Sequence, residues 1–403
     1  MARAPRSNSK AGDPLRVACC FGTFPPDRNG GADFLARFAG ALAKAGAEVT
    51  VLTARGHAPE VERPTPGVEV HRTVDDWGIG AAGRRALRRA NRLLAERRVE
   101  IVHVFFPDPG LGGRYQLPAY LGLGRLPLVT TFWNLGLGRR SPMPLRLAAL
   151  ALLARSRAVT SHDPGYLSTL RLLAPHRPVR WLPVGNNVGG AESSEERAAV
   201  RVRFGLDPNA RYLAYFGQLD FTRGLDDLFE ALALARRSTD VRLVMVGSAA
   251  REERYAADPD AHREYLRLRA LPGALGVEDA VEWTGYLPDS EVAALLRACD
   301  LCVLPYRRNS LGRSALAAAL DLGVPTVLAG TPRGVAPLRP GRHVALVPAA
   351  RPEELAATVA DLLSRPHELE LLAAGARRAA RFFDWPRIAA TALGLYRQVL
   401  EVR

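Results

Sequence analysis

Residues 15–44 read LRVACCFGTFPPDRNGGADFLARFAGALAK. The run 15–21 is apolar apart from Arg16 and too short for a buried helix, so it reads as a strand covered on both faces. A loop rich in glycine and proline follows over 22–31. From 32 to 44 the apolar residues Phe34, Leu35, Phe38 and Leu42 recur at helical spacing. Gly46 stops that helix and 48–52 supplies the next apolar strand. Further strands read at 68–71, 101–105, 128–132, 158–160 and 179–182, with helical stretches between them. Strand and helix alternating in this way predict an α/β fold with a doubly wound parallel sheet.

The polar stretch 189–196, GGAESSEE, interrupts the series, which then restarts. Strands read at 212–216, 241–246, 281–283, 301–304, 326–328 and 345–347, the first followed by a helix over 225–236. A chain of 403 residues suits two domains rather than one core. The expected organisation is a disordered tail (1–13), an N-terminal Rossmann-like domain (14–190), a linker (191–200), a C-terminal domain (201–380) and a closing segment (381–403). The helix of that segment, 388–400, packs back on the first domain. Open sheets bind ligands at their carboxyl ends, so two such domains are expected to face a shared cleft.

Composition narrows the class. Apolar residues make up 48% and charged residues 24%, the balance of a soluble globular chain. No stretch approaches the roughly 18 apolar residues of a membrane span, and the polar, basic start has no secretory core. A cytoplasmic location is expected. The net charge is +14, almost all of it arginine, since Lys10 and Lys44 are the only lysines. Such a field favours anionic partners. Nucleic acid is not expected, because no basic groove is interleaved with aromatic residues. Arginines crowd the helix over 84–98; this is the solvated face of a crossover helix or a peripheral contact with the inner face of a membrane. Cys299 and Cys302 form a lone C-x-x-C without the second pair a zinc site needs, so the four cysteines read as buried thiols. The sequence sets no oligomeric state.

Six further features stand in a fixed order. They are the strand–loop–helix 17–37 with Gly30-Gly31, and Tyr215-Phe216-Gly217-Gln218-Leu219-Asp220 with Arg223-Gly224. Val244-Met245-Val246-Gly247 and Trp283-Thr284-Gly285-Tyr286-Leu287 come next. Residues 300–306 with Gly323-Val324-Pro325, then Phe383-Asp384-Trp385 with Leu395-Tyr396, complete the set. Together they resemble glycosyltransferase family 4, of the GT-B fold, over nearly the whole chain. The resemblance implies transfer of a sugar from a nucleoside diphosphate donor, with retention of configuration and without metal. The donor would lie on the C-terminal domain and the acceptor, a natural product, polysaccharide or lipid, on the N-terminal one. The rival readings are a non-catalytic auxiliary homologue and a GT-B epimerase or phosphorylase.

Several family residues are replaced. Counted back from Gly323, the family's Glu-x7-Glu falls on Ser310 and Ala318; its N-domain histidine falls on Trp133, and its diphosphate arginine on Gln218. Arg223 stands at the lysine position, and 305–314 (PYRRNSLGRS) brings a basic segment where the acidic motif should be. The chain thus resembles a branch lacking that motif.

A departing diphosphate gathers negative charge as the anomeric bond breaks, so cations and helix N-termini are expected around it. The expected donor-binding set is Gly30, Gly31, Gly217, Gln218, Arg223, Gly247, Tyr286, Arg307, Ser310, Arg313 and Ser314. Each has a plainer reading: a turn glycine, a solvated arginine, a helix cap. No catalytic residue is assigned. His103 and Asp27 are candidates, and Trp133 could stack on a sugar; core packing is the alternative for His103 and Trp133. No cofactor is expected beyond the nucleoside diphosphate sugar as co-substrate. No metal is expected either, since Asp258-Pro259-Asp260 has the D-x-D spacing but sits in a polar insert.

Overall fold

In the computed structural model the chain divides into two compact units, Met1–Pro183 with Trp385–Arg403, and Val184–Asp384. The structure describes residues 13–27, 30–55, 58–74, 80–107, 123, 126–138, 141–189, 195–219, 223–247, 259–307 and 311–401. The expected tail up to residue 12, Arg28, the first four residues of the linker (191–194), Asp258 and Ser310 lie outside these residues.

The first unit holds β1 (Arg16–Cys20), β2 (Glu48–Ala54), β3 (Val61–Thr65), β4 (Val68–Val74), β5 (Ile101–Phe106), β6 (Leu128–Phe132), β7 (Ala158–Ser161) and β8 (Val179–Trp181). Its helices are α1 (Gly30–Lys44), α2 (Ala81–Glu96), α3 (Met143–Arg155) and α4 (Leu167–Leu173). The strands run in the order β3-β4-β2-β1-β5-β6-β7-β8. Every pairing is parallel except β3 with β4. Strand β3 escapes a hydrophobicity reading because Val61-Glu62-Arg63-Pro64-Thr65 has one apolar residue and a proline. Both suit an exposed edge strand and neither signals burial.

The second unit holds α5 (Arg197–Arg203), β9 (Arg211–Phe216), α6 (Leu225–Ala235), β10 (Val241–Val246), α7 (Pro259–Ala274), β11 (Val281–Gly285), α8 (Asp289–Ala298) and β12 (Leu301–Leu304). It continues with α9 (Ser314–Asp321), β13 (Thr326–Ala329), β14 (Ala345–Val347), α10 (Pro352–Ser364) and α11 (Pro366–Ala380). Its sheet is wholly parallel in the order β11-β10-β9-β12-β13-β14, so the winding reverses between β9 and β12. At the amino end of that sheet, buried Asp300 accepts the Tyr212 backbone N–H (2.7 Å) and Arg201 Nη2 (2.9 Å), tying α5 to the first strand. The four cysteines are buried and none is in a disulfide, and burial pushes the Cys299 thiol up to about 12, which leaves it inert.

The last helix, α12 (Trp385–Glu401), belongs to the first unit and lies on α1. Ile388, Ala389, Ala392, Leu393, Tyr396 and Val399 form its buried stripe. Tyr396 reaches the sheet. Its hydroxyl lies 2.5 Å from Nδ1 of His103, and Nε2 of that ring lies 2.6 Å from the Thr131 hydroxyl. This corrects the expectation for His103 as a catalytic candidate. Strand β5 continues to Phe106, so His103 is mid-strand, 1% exposed, with both nitrogens occupied.

Burial, and then the neighbouring His162, push the His103 pKa down to about 3 from 6.5, so the folded ring is neutral. Unfolded chain binds the proton below pH 6.5 and folded chain does not. This stability is therefore intact above 6.5 and is lost, at about 1.4 kcal/mol per pH unit, as pH falls toward 3. Tyr396→Phe should strand a buried ring nitrogen and cost about 1–3 kcal/mol in thermal or urea unfolding of the first unit at pH 7. An unchanged midpoint would mean that the Tyr396–His103 contact holds nothing.

Candidate functional site

The carboxyl ends of the second sheet gather most of the expected donor-binding residues. Strands β9 and β10 each run directly into a glycine, Gly217 (φ +142°) and Gly247 (φ +141°), in conformations L side chains rarely adopt. A Cβ on Gly247 would collide with the Gly217 carbonyl oxygen, so the two strand exits are pressed together as only glycine allows. Gly224 caps α6 at φ +73°, and a Cβ there would strike the Pro305 carbonyl oxygen just beyond β12. The turn into α6 and the exit of β12 therefore meet at the point where the winding reverses, the crevice in which open α/β sheets bind ligands.

Polar side chains fill this edge. The Tyr215 hydroxyl donates to the Gln218 carbonyl oxygen (2.8 Å), and Arg223 Nη2 donates to Gln218 Oε1 (2.7 Å). Tyr286, beyond β11, is an exposed aromatic at 64%. Arg307 is exposed, and its guanidinium is already engaged within the fold. Its Nε and Nη2 take both oxygens of Asp227 (2.9 and 2.8 Å), and Nη2 also meets Asp226 (2.7 Å). The hydrogen bonds to Asp227 lead in holding the guanidinium above its ordinary pKa. Sequence reading missed this pair, although two acids in the first turn of a helix favour its N-terminus and are ready partners for a cation.

Arg313 differs. It is the half-buried N-cap residue of α9, its guanidinium lies 4.9 Å over the Tyr306 ring, and its Nε is buried without a hydrogen-bond partner. Ser314 opens α9, and Ala318, at the second glutamate position, is fully buried within it. Ser310, at the first, lies outside the described residues.

The remaining expected residues sit on the first unit. Gly30 and Gly31 are the first residues of α1 rather than part of the preceding loop, and a Cβ on Gly30 would meet nothing within 4 Å. Packing does not demand a glycine there. Asp27 lies in the loop before α1, half-buried, with its N–H donated to the Phe24 carbonyl (3.1 Å). That loop is anchored by buried Arg72, which donates to the Pro25 carbonyl oxygen (2.5 Å), another residue sequence reading missed. Trp133 follows β6, half-buried, its ring 4.0 Å from that of His162 and 5.3 Å from Phe34. His162 Nδ1 donates to the Leu182 carbonyl oxygen (2.5 Å), which fixes the tautomer and leaves Nε2 a lone pair. Burial holds the ring neutral, with a pKa near 3. An aromatic cluster thus occupies the carboxyl edge of the first sheet.

Comparison with known proteins matches each unit to a glycosyltransferase family model. Residues 28–185 match the family model Glycosyltransferase Family 4, and residues 210–365 match Glycosyl transferases group 1. A D-inositol 3-phosphate glycosyltransferase of Segniliparus rotundus is 31% identical over 249 residues, covering 60% of this chain and 52% of the relative. One from Acidothermus cellulolyticus is 27% identical over 420 residues, covering 97% and 89%. The chain spans about half the length of the first of these relatives. Among solved structures, sucrose-phosphate synthase from Thermosynechococcus elongatus superposes with a TM-score of 0.75 at 18% identity, covering 96% of this chain and all of the other. Anabaena HepE in complex with UDP-glucose does so at 0.72 and 17%, covering 94% and 99%. Those likenesses are of fold, and the two family models between them take in more than half of the sequence. The chain belongs to the GT-B glycosyltransferases, joining a family 4 N-terminal domain to a group 1 C-terminal domain.

Proposed function

We propose that the chain transfers a glycosyl group from a nucleoside diphosphate sugar to a hydroxyl-bearing acceptor, with the diphosphate bound at the carboxyl edge of the second sheet. The observation that carries this reading is Arg313. A half-buried guanidinium whose Nε has no partner is costly unless an anion answers it, and it stands at a helix N-terminus, itself favourable to negative charge. Arg223, bonded to the neutral Gln218 side chain, stands beside a second helix N-terminus, that of α6. In the reaction the anomeric carbon–oxygen bond breaks and its electron pair stays on the diphosphate. The acceptor oxygen bonds to the anomeric carbon, and its proton is released. Both arginines would meet the charge that develops on the leaving group.

Uridine diphosphate is the donor nucleotide of first choice, since the HepE complexes of the same fold hold UDP or UDP-glucose. D-inositol 3-phosphate, which appears in the relatives' names, is the first acceptor to offer. Retention and independence from metal follow from the family resemblance. The coupling constant of the product's anomeric proton and turnover in chelator test them separately.

By calorimetry, Arg313→Ala should weaken UDP binding roughly ten- to a hundredfold and leave uridine binding alone, as expected for a hydrogen bond to a charged group worth about 1.5–3 kcal/mol. Arg223→Ala should do the same, and Arg223→Lys should recover part of the loss, because a point charge lacks the guanidinium fork. UDP binding that ignores both variants would place the donor elsewhere. Nucleotide bound without turnover on any donor–acceptor pair would favour the auxiliary homologue.

A further inference from the structure

The winding of the first sheet sends α2, α3 and α4 to one of its faces. Ala90 and Leu94, Leu152 and Leu153, and Leu170 all belong to one core cluster with the strands beneath. The outward side of this layer is unusual. On α3, Met143, Leu147 and Leu150 are 62%, 56% and 46% exposed, at the i, i+4, i+7 spacing of a single stripe. On α4, Leu172 and Leu173 are 80% and 41% exposed. Half of the large apolar side chains exposed among the described residues are on these two helices. Single exposed leucines need no explanation, but a helix apolar on both sides has one side still to cover.

Charge says with what. Residues 143–180 contain six arginines and one acid, Asp163, whose carboxylate is taken by the Gly165 N–H (2.8 Å). In the same layer α2 exposes Arg85, Arg88 and Arg92, three and four residues apart, and Glu96 is its one acid. Apolar side chains set among arginines complement a surface that is anionic outside and apolar beneath. Nucleic acid would answer the arginines and leave the leucines wet. None of the described helices is long and apolar enough to cross a membrane, so the contact lies in the plane of the interface.

We propose that this face of the first unit docks on an anionic lipid bilayer. The α3 and α4 leucines and Met143 enter the boundary between headgroups and acyl chains, and the arginines bond to lipid phosphates. The inference uses no residue of the donor site and stands apart from it.

Flotation of the full chain with phosphatidylcholine vesicles, with and without phosphatidylglycerol, tests it. The parent should float with the anionic vesicles at low salt, less at high salt, and not with phosphatidylcholine alone. Arg85→Ala/Arg88→Ala/Arg92→Ala should weaken binding about tenfold or more, and Leu147→Ser/Leu150→Ser about tenfold, with unchanged melting because these side chains are exposed. The proposal fails if the parent ignores anionic vesicles or both variants bind as the parent does. It also fails if the chain is a dimer that the leucine variant converts to monomer, since a second copy would then be the occupant.

Discussion

A guanidinium taken partly out of water must be answered by an acceptor or an anion, and this constraint separates the arginines at the carboxyl edge of the second sheet. Arg307 is answered by Asp226 and Asp227 within the fold. Arg313 lies over Tyr306 with a buried, unpartnered Nε. The first arrangement screens two acids that would otherwise repel a diphosphate from the α6 N-terminus. The second leaves a donor for one. Both follow from the exit of β12, which holds Tyr306 and Arg307 at the edge.

That edge exists because backbones approach where side chains would forbid it. Gly217, Gly247 and Gly224 bring the ends of β9 and β10 and the turn into α6 against one another and against Pro305. A parallel sheet supplies the convergence, since all its carboxyl ends lie on one side and the winding reverses between β9 and β12. At the other end Asp300 and Arg201 fix where β9 begins.

The sheet strands were legible because a parallel strand buried on both faces is a short, continuous apolar run, and β6, β10, β12 and β14 begin and end where those runs do. The antiparallel edge β3 was not, because an exposed strand needs no such run. The start of α1 was misplaced by two residues, since Gly30 and Gly31 read as loop and yet open the helix. The turns after β9 were legible at Gly217 and Gly224, where the backbone takes conformations that favour glycine. His103 reads as a catalytic candidate until the fold buries it, and Arg307 reads as a ligand for phosphate until α6 turns Asp226 and Asp227 toward it. Such pairings cross about eighty residues of chain, and no local pattern records them.

The first sheet's carboxyl edge is different in kind. Trp133, Phe34 and His162 pack ring against ring, and the tautomer fixed at Leu182 leaves a buried imidazole lone pair beside them. The proposed diphosphate site lies at the second edge, and amide hydrogen exchange reads it most directly. Added UDP should slow exchange at the N-termini of α6 and α9, around Leu225 and Ala315, whereas uridine should leave both unchanged. Protection confined to other segments, or equal protection by uridine, would contradict a diphosphate held by Arg313 and the helix ends.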